Sequence, residues 1–186
     1  MNLRPIIQQV RDKVNSAFDT VDLWFNSKSE QLNYRPEDGG WTIAEILEHI
    51  ALTNKFLLIL IEKGAKKALK NVQERDFERL ANDYQLLIEG LDEVALHNSF
   101  PWSRPEHMEP KGEMPLVELQ NLLNVQLGQC LQILDQLPNG EGILYQTTMT
   151  VNDLGKLDVY QYLYFLAQHA LRHCAQMQRN LELAKS

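Results

Sequence analysis

The chain has 186 residues, of which 44% are hydrophobic and 23% charged, and it carries a formal net charge of −7. This composition is typical of one soluble domain with its own hydrophobic core, and it excludes intrinsic disorder. The acidic balance argues against a nucleic-acid partner, because such proteins need a basic face. One basic cluster, Lys63, Lys66, Lys67 and Lys70, is interpreted as a solvated helix end.

The N-terminal sequence lacks the apolar stretch and small-residue cleavage site of a secretory signal. The most apolar run, Phe56 to Ile61, is far shorter than the ~20 residues that a membrane helix needs. Cys130 and Cys174 are the two cysteines of the chain, which favours a reduced protein over a disulfide scaffold. We therefore expect a cytoplasmic protein with no membrane partner.

Apolar residues that recur at three- and four-residue steps predict the helices. The first extends from about Pro5 to Lys28, with Pro5 in its first turn, where a missing N–H costs nothing. The second begins after Thr42, whose side chain can form a capping box with Glu45. Gly64 is interpreted as its C-terminal stop.

A third helix is predicted over about Glu74 to Leu96. The stretch from Phe100 to Pro115 is rich in proline and glycine and contains Trp102 and His107. Such a composition predicts a loop, which is placed to fold over a pocket. A fourth helix is expected over about Leu116 to Leu137.

A β-prone stretch, Ile143 to Val151, predicts either a small hairpin or an irregular crossing. The last helix spans about Asp158 to Ala184, and the Asp158 side chain can cap it. Five helices with little strand favour a single all-α bundle domain over residues 1–186.

The last helix contains two histidines, His169 and His173, at a spacing of four residues. At 100° per residue they lie one above the other on one helix face, where two imidazoles can share a metal ion. A third ligand has to come from elsewhere, and His49, in the middle of the second helix beside apolar neighbours, is the candidate. Three neutral imidazoles suit zinc, nickel, iron or copper, and they leave one position open for water or substrate.

A structural interpretation competes with this one. Paired histidines at this spacing can equally bond backbone carbonyls or lie on a helix surface, and His49 alone fits a hydrogen-bonded core histidine. His97 and His107 are interpreted as solvated or loop-packing residues. The sequence contains no H-E-x-x-H, E-x-x-H or C-x-x-C motif, and no P-loop, dinucleotide fingerprint or nucleophile elbow.

Two segments resemble the DinB/YfiT-like superfamily. The stretch around Trp41, Thr42 and His49 is similar to the family's second helix, where a tryptophan and a capping Ser or Thr precede an inward histidine. The segment with His169 and His173 resembles its last helix. The order and separation of these histidines, one early and a pair near the end of the chain, carry the resemblance, and the helical pattern covers nearly the whole chain.

The resemblance implies an up-down-down-up four-helix bundle with one additional short helix or irregular segment. It also implies Zn or Ni bound by His49, His169 and His173, with water completing the coordination, and a homodimer. Characterised members of the family that the chain resembles include transferases and isomerases that use low-molecular-weight thiols, and other members are described as hydrolases. A thiol-dependent S-transferase or a hydrolase acting on a small molecule is expected, and a non-catalytic helical protein is the alternative.

Residues next to the ligands offer further hypotheses. Glu45, one turn before His49, could hold the free ring N–H of that histidine, although the capping box is the favoured explanation of this residue. Gln176, one turn after His173, could bond that imidazole or lie at the surface. Glu48 is expected to face solvent.

Overall fold

The computed structural model describes residues 2–72, 77–82, 84, 88–96, 105–149 and 154–184. The described helices are α1 (Arg4–Asp22), α2 (Ser29–Leu32), α3 (Ile43–Asn71), α4 (Phe77–Asn82), α5 (Ile88–Asp92), α6 (Leu116–Gln136) and α7 (Val159–Leu183). Two strands, β1 (Gln146–Met149) and β2 (Gly155–Asp158), pair antiparallel. The predicted all-α fold is confirmed, with the short elements added to a bundle of α1, α3, α6 and α7.

Each long helix packs against two others, since α1 and α3 both contact α6 and α7. Arg11 in the first half of α1 pairs with Asp135 near the end of α6 at 2.5 Å. Asp22 at the end of α1 accepts a hydrogen bond from Gln120 near the start of α6, so these two helices are antiparallel. The Tyr160 hydroxyl, at the start of α7, donates a hydrogen bond to the Leu137 carbonyl at the end of α6, so α6 and α7 are also antiparallel. Helices α1 and α7 are therefore parallel.

The other two directions follow from the end of α3. Gly64 in its last third lies against Val159, the first residue of α7, so α3 and α7 are antiparallel. Asn71 at its end donates a hydrogen bond to the Leu144 carbonyl, just beyond the end of α6, so α3 and α6 are parallel. The four helices thus run up, down, down and up, as the family resemblance implies.

The prediction that Gly64 ends the second helix is wrong. Helix α3 continues through it to Asn71, and Gly64, Ala65 and Ala68 are all buried. A Cβ added at Gly64 would meet the Val159 side chain at 3.4 Å. The absence of a side chain therefore serves close packing rather than helix termination, because a terminating glycine adopts the left-handed conformation and Gly64 does not.

The predicted helix over Glu74 to Leu96 is not continuous in the described residues. Helix α4 ends at Asn82, Tyr84 is not helical, and α5 and the 3-10 turn Glu93–Ala95 follow. Apolar residues of this segment still pack on the core, which is why its periodicity predicts a helix. The first predicted helix is also shorter than expected, because α1 ends at Asp22 and a 3-10 turn, Leu23–Asn26, follows.

The chain enters α7 directly from strand β2, the second strand of the small ladder. Asp158, the last residue of β2, caps α7 by accepting hydrogen bonds from the Tyr160 and Gln161 backbone N–H groups at 2.8 and 3.0 Å. Burial raises the pKa of this carboxyl to about 6. The predicted cap is confirmed. Of the β-prone stretch, Gln146–Met149 forms strand β1, which pairs with β2 beyond that stretch.

None of the helices in the described part of the chain is both long and apolar enough to cross a membrane.

Candidate metal centre

The antiparallel packing of α3 and α7 brings three histidines together inside the bundle. His169 and His173 lie one turn apart on the inner face of α7, and His49 lies on the inner face of α3. All three are buried, with 5%, 4% and 7% of their surfaces exposed for His49, His169 and His173. The helix spacing explains the α7 pair, and the bundle topology places the third histidine opposite it.

The ring nitrogens of the histidine cluster (His49, His169 and His173) converge. The Nε2 atoms of His169 and His173 are 3.1 Å apart. One nitrogen from each of the three residues lies within 4.8 Å of the others. The His49 ring centre is 4.7 Å from that of His173 and 5.4 Å from that of His169.

Hydrogen bonds to the outer ring nitrogens set the tautomers of two of these residues. His49 Nδ1 lies 2.7 Å from the Met108 carbonyl, which only accepts, so Nδ1 carries the proton. His173 Nδ1 lies 2.9 Å from Oε1 of Gln176, and an amide oxygen likewise requires a donor. The lone pair of each ring is therefore on Nε2, which faces the centre of the cluster.

The surroundings of His169 favour its neutral form. Burial lowers the pKa of His169 well below its usual value of 6.5, and the nearby His173 and His49 lower it further. A metal ion binds only the neutral ring, whose nitrogen lone pair is available. The neutral His169 ring, buried beside His49 and His173, is therefore suited to bind a cation.

Other side chains enclose the cluster. The Trp41 ring centre lies 4.8 Å from that of His49, and the Phe165 ring stacks on His169 at 6.5 Å. The Thr53 hydroxyl, one turn after His49 on α3, lies 3.5 Å from His49 Nε2 and is itself buried. The surroundings are thus apolar, with one hydroxyl close to a candidate ligand atom.

Gln176 and Glu45, the two residues predicted to support the ligands, have different roles in the structure. Gln176 does bond the His173 ring. Glu45 instead completes the capping box with Thr42 and pairs with Arg35 at 2.6 Å. The proton of His49 Nδ1 goes to the Met108 carbonyl in place of Glu45, a partner that no sequence pattern indicates because it is a backbone atom from a distant loop.

The expectation that Glu48 faces solvent is wrong. Its side chain is buried, and its Oε2 atom accepts a hydrogen bond from the Gly112 backbone N–H at 2.6 Å. Together with the bond between Met108 and His49, this contact holds the loop of residues 105–115 against the start of α3. The described part of the predicted loop therefore does cover the histidine cluster.

The remaining predicted residues lie outside the cluster. His107 is exposed and packs on the Phe56 ring at 4.2 Å, which agrees with a loop-packing role. His97 and Trp102 lie outside the described residues. Cys174 is buried, and burial raises the pKa of its thiol to about 12, so it is protonated at neutral pH.

The donor set fits a metal ion. Two ligands of a tetrahedral ion with Zn–N bonds of 2.0–2.1 Å are about 3.3 Å apart, so the His169 and His173 nitrogens are already at a suitable separation. A nitrogen of His49 lies within 4.8 Å of both. The cluster could therefore hold one ion through three nitrogens, with a fourth position left for another ligand.

Comparison with known proteins agrees with this arrangement. The profile of the DinB superfamily matches residues 6–177. The chain therefore belongs to the DinB superfamily, and its three buried histidines are compatible with a metal-binding protein. Searches of curated proteins and of solved structures gave no significant match.

Proposed function

We propose that this protein is a metal-dependent enzyme that binds one divalent ion, Zn or Ni, through His49, His169 and His173 and acts on a small molecule. The observation that carries the proposal is the convergence of three buried imidazoles, two of which have their protons committed to outer hydrogen-bond partners. Three nitrogen ligands with one open position are typical of catalytic rather than structural zinc.

An ion at this position lowers the pKa of a thiol or a water molecule that occupies its open position. The protein supplies the geometry around that position. The Met108 carbonyl and Gln176 orient two of the rings, and Trp41 and Phe165 exclude water from the cluster. The Thr53 hydroxyl can accept a hydrogen bond from the nucleophile or donate one to it.

Of the two expected reactions, thiol transfer is the better supported. Metal-assisted hydrolysis commonly uses a carboxylate as general base, as in H-E-x-x-H enzymes. Among the described residues, the two carboxylates nearest His49 in sequence are engaged elsewhere, Glu45 with Arg35 and Glu48 with Gly112. A coordinated thiol ionises without such a base. We therefore propose a thiol-dependent S-transferase that uses a low-molecular-weight thiol, with hydrolysis as the second candidate.

Three further expectations belong to the same proposal. The substrate is a small molecule and not a nucleic acid, the protein works in the cytoplasm, and it forms a homodimer. The net charge of −7 supports the first of these. The other two rest on the cysteine content and on the family resemblance.

Metal analysis of protein purified without a histidine tag tests the site. We expect about one equivalent of zinc or nickel in the wild type and a loss of at least tenfold in affinity for His173→Ala. His107→Ala is the matched control, because this exposed histidine lies outside the cluster. Wild-type protein that retains less than about 0.3 equivalent after incubation with zinc would refute the proposal, since a full ligand set holds one ion.

A second assay separates the two reactions and the non-catalytic alternative. Zinc-loaded protein is mixed with a panel of low-molecular-weight thiols and an electrophilic probe, and separately with activated esters. A transferase forms the thioether faster than His173→Ala does. Ester cleavage without a thiol would favour hydrolysis, and activity in neither assay would favour a non-catalytic metal-binding protein.

A further inference from the structure

Two arginines of α7 lie on one side of the histidine cluster. Arg172 precedes His173 directly, and Arg179 follows it by six residues. Arg172 and Arg179 are seven residues apart, which is close to two helical turns, so both lie on nearly the same face of α7. Both side chains are partly exposed.

Arg172 lies next to the cluster along α7, directly before His173 and three residues after His169. Its Nη1 atom donates a hydrogen bond to the Leu96 carbonyl at 2.6 Å, which holds the guanidinium on the side of α7 that faces the 3-10 turn Glu93–Ala95. Side chains of a helix lean towards its N-terminus, which directs Arg172 to the level of His169.

Arg179 is close to Arg172 and has capacity for another partner. Its Nη2 atom is buried and has no hydrogen-bond acceptor among the described residues. Each described acid also lies beyond ion-pair distance of it. Burial lowers the pKa of Arg179, and the charge of Glu182 opposes this in part. Burial lowers the pKa of Arg172, and the positive charge of Arg179 lowers it further.

Two neighbouring guanidinium groups repel each other, and a buried N–H without an acceptor costs about 1–3 kcal/mol in general. An anion bound between them offsets both costs. Arginine is the side chain best suited to this, because its planar donors match the two oxygens of a carboxylate. Asp92, a described acid near this side of α7, already accepts hydrogen bonds from Tyr164 and Gln168.

We propose that Arg172 and Arg179 form a subsite for a carboxylate group of the small molecule that reacts at the histidine cluster. The inference rests on the proposed function, since it assigns the substrate class of the same site. Arg172 and Arg179 act here as specificity residues: they select acids over neutral analogues and fix the orientation of the bound molecule relative to the three imidazoles.

Pairs of ligands that differ only in charge test the subsite. N-acetyl-L-cysteine and its neutral amide are titrated into the protein, as are N-acetyl-L-alanine and its amide, with dissociation constants measured by NMR. In the wild type we expect each acid to bind about tenfold more tightly than its amide, which corresponds to one charge-assisted bond. If the acid is preferred over its amide in the cysteine pair alone, the recognised carboxylate belongs to the thiol. If the acid is preferred in the alanine pair alone, the carboxylate belongs to the other substrate.

Variants distinguish local recognition from overall charge. Arg172→Gln and Arg179→Gln are expected to lose the preference for acid over amide, and Arg172→Lys to keep part of it. Arg4→Gln removes the same charge from an exposed position at the start of α1 and is expected to keep it in full. A merely structural role for Arg172 would weaken the acid and the amide equally.

Equal binding of acids and amides by the wild type, or a preference that survives both Arg172→Gln and Arg179→Gln, would overturn the subsite. Performing the titrations with and without zinc keeps the two proposals apart. If zinc does not change the affinity for either thiol, the metal-dependent thiol chemistry fails while the carboxylate preference is still measured independently.

Discussion

Gln176 offers a test of how the cluster is prepared for a metal ion. Its Oε1 atom accepts the proton of His173 Nδ1 at 2.9 Å and so keeps the lone pair on Nε2, the atom that faces the cluster. In Gln176→Leu the ring loses this partner while the side-chain volume is nearly conserved. The imidazole is then free to rotate or to adopt the other tautomer, and both changes remove a preorganised ligand.

The size of the expected loss in zinc affinity depends on the position of Gln176 at the edge of the site. Loss of a ligand's hydrogen-bond partner generally reduces metal affinity by 10- to 100-fold, about 1.4 to 2.7 kcal/mol. Gln176 is partly exposed, so water can replace part of the lost hydrogen bond. We therefore expect a loss of about tenfold, at the lower end of that range.

Competition with a fluorescent zinc chelator measures this change directly. Gln178→Leu is the matched control, because Gln178 is an exposed glutamine on the same helix, bonded to Glu182 rather than to a histidine. Gln176→Glu should bind zinc at least as tightly as the wild type, since a carboxylate accepts the same proton. Unchanged affinity in a folded Gln176→Leu protein, or the same loss in Gln178→Leu, would refute the reasoning.

Two stability predictions concern the rest of the fold. Gly142→Ala should lower the free energy of unfolding by about 1–3 kcal/mol, because the new Cβ would lie 2.7 Å from the buried Tyr160 ring. Gly128→Ala, whose Cβ would have no atom within 4 Å, should raise it by up to about 1 kcal/mol. Urea unfolding measures both changes, and equal effects of the two variants would contradict the packing argument. The pKa of Asp158 is about 6 in the folded state and roughly 3.9 in an unfolded chain. Between these pH values the folded state binds more protons than the unfolded state. The free energy of unfolding should therefore fall by at most roughly 3 kcal/mol as pH rises from 4 to 6. Asp158→Asn keeps a capping acceptor and should flatten that slope, and an unchanged slope in the variant would show that another group causes it.

Much of the bundle follows from local rules in the sequence. The capping residues Thr42 and Asp158 and the apolar stripes predict where α3, α6 and α7 begin, because caps and helical periodicity depend on neighbours within one or two turns. The same rules fail at Gly64. Whether a glycine ends a helix or admits a close neighbour depends on what packs against it, and here Val159 does.

The candidate site also has a part that local rules in the sequence predict and a part that depends on packing. The sequence by itself determined that His169 and His173 share a helix face, since a spacing of four residues requires it. Only the tertiary structure brought His49 to within reach of that pair, through the antiparallel packing of α3 on α7. It also decided that the Met108 carbonyl, rather than Glu45, takes the proton of the His49 ring, because that contact joins residues 59 positions apart and no local pattern records it.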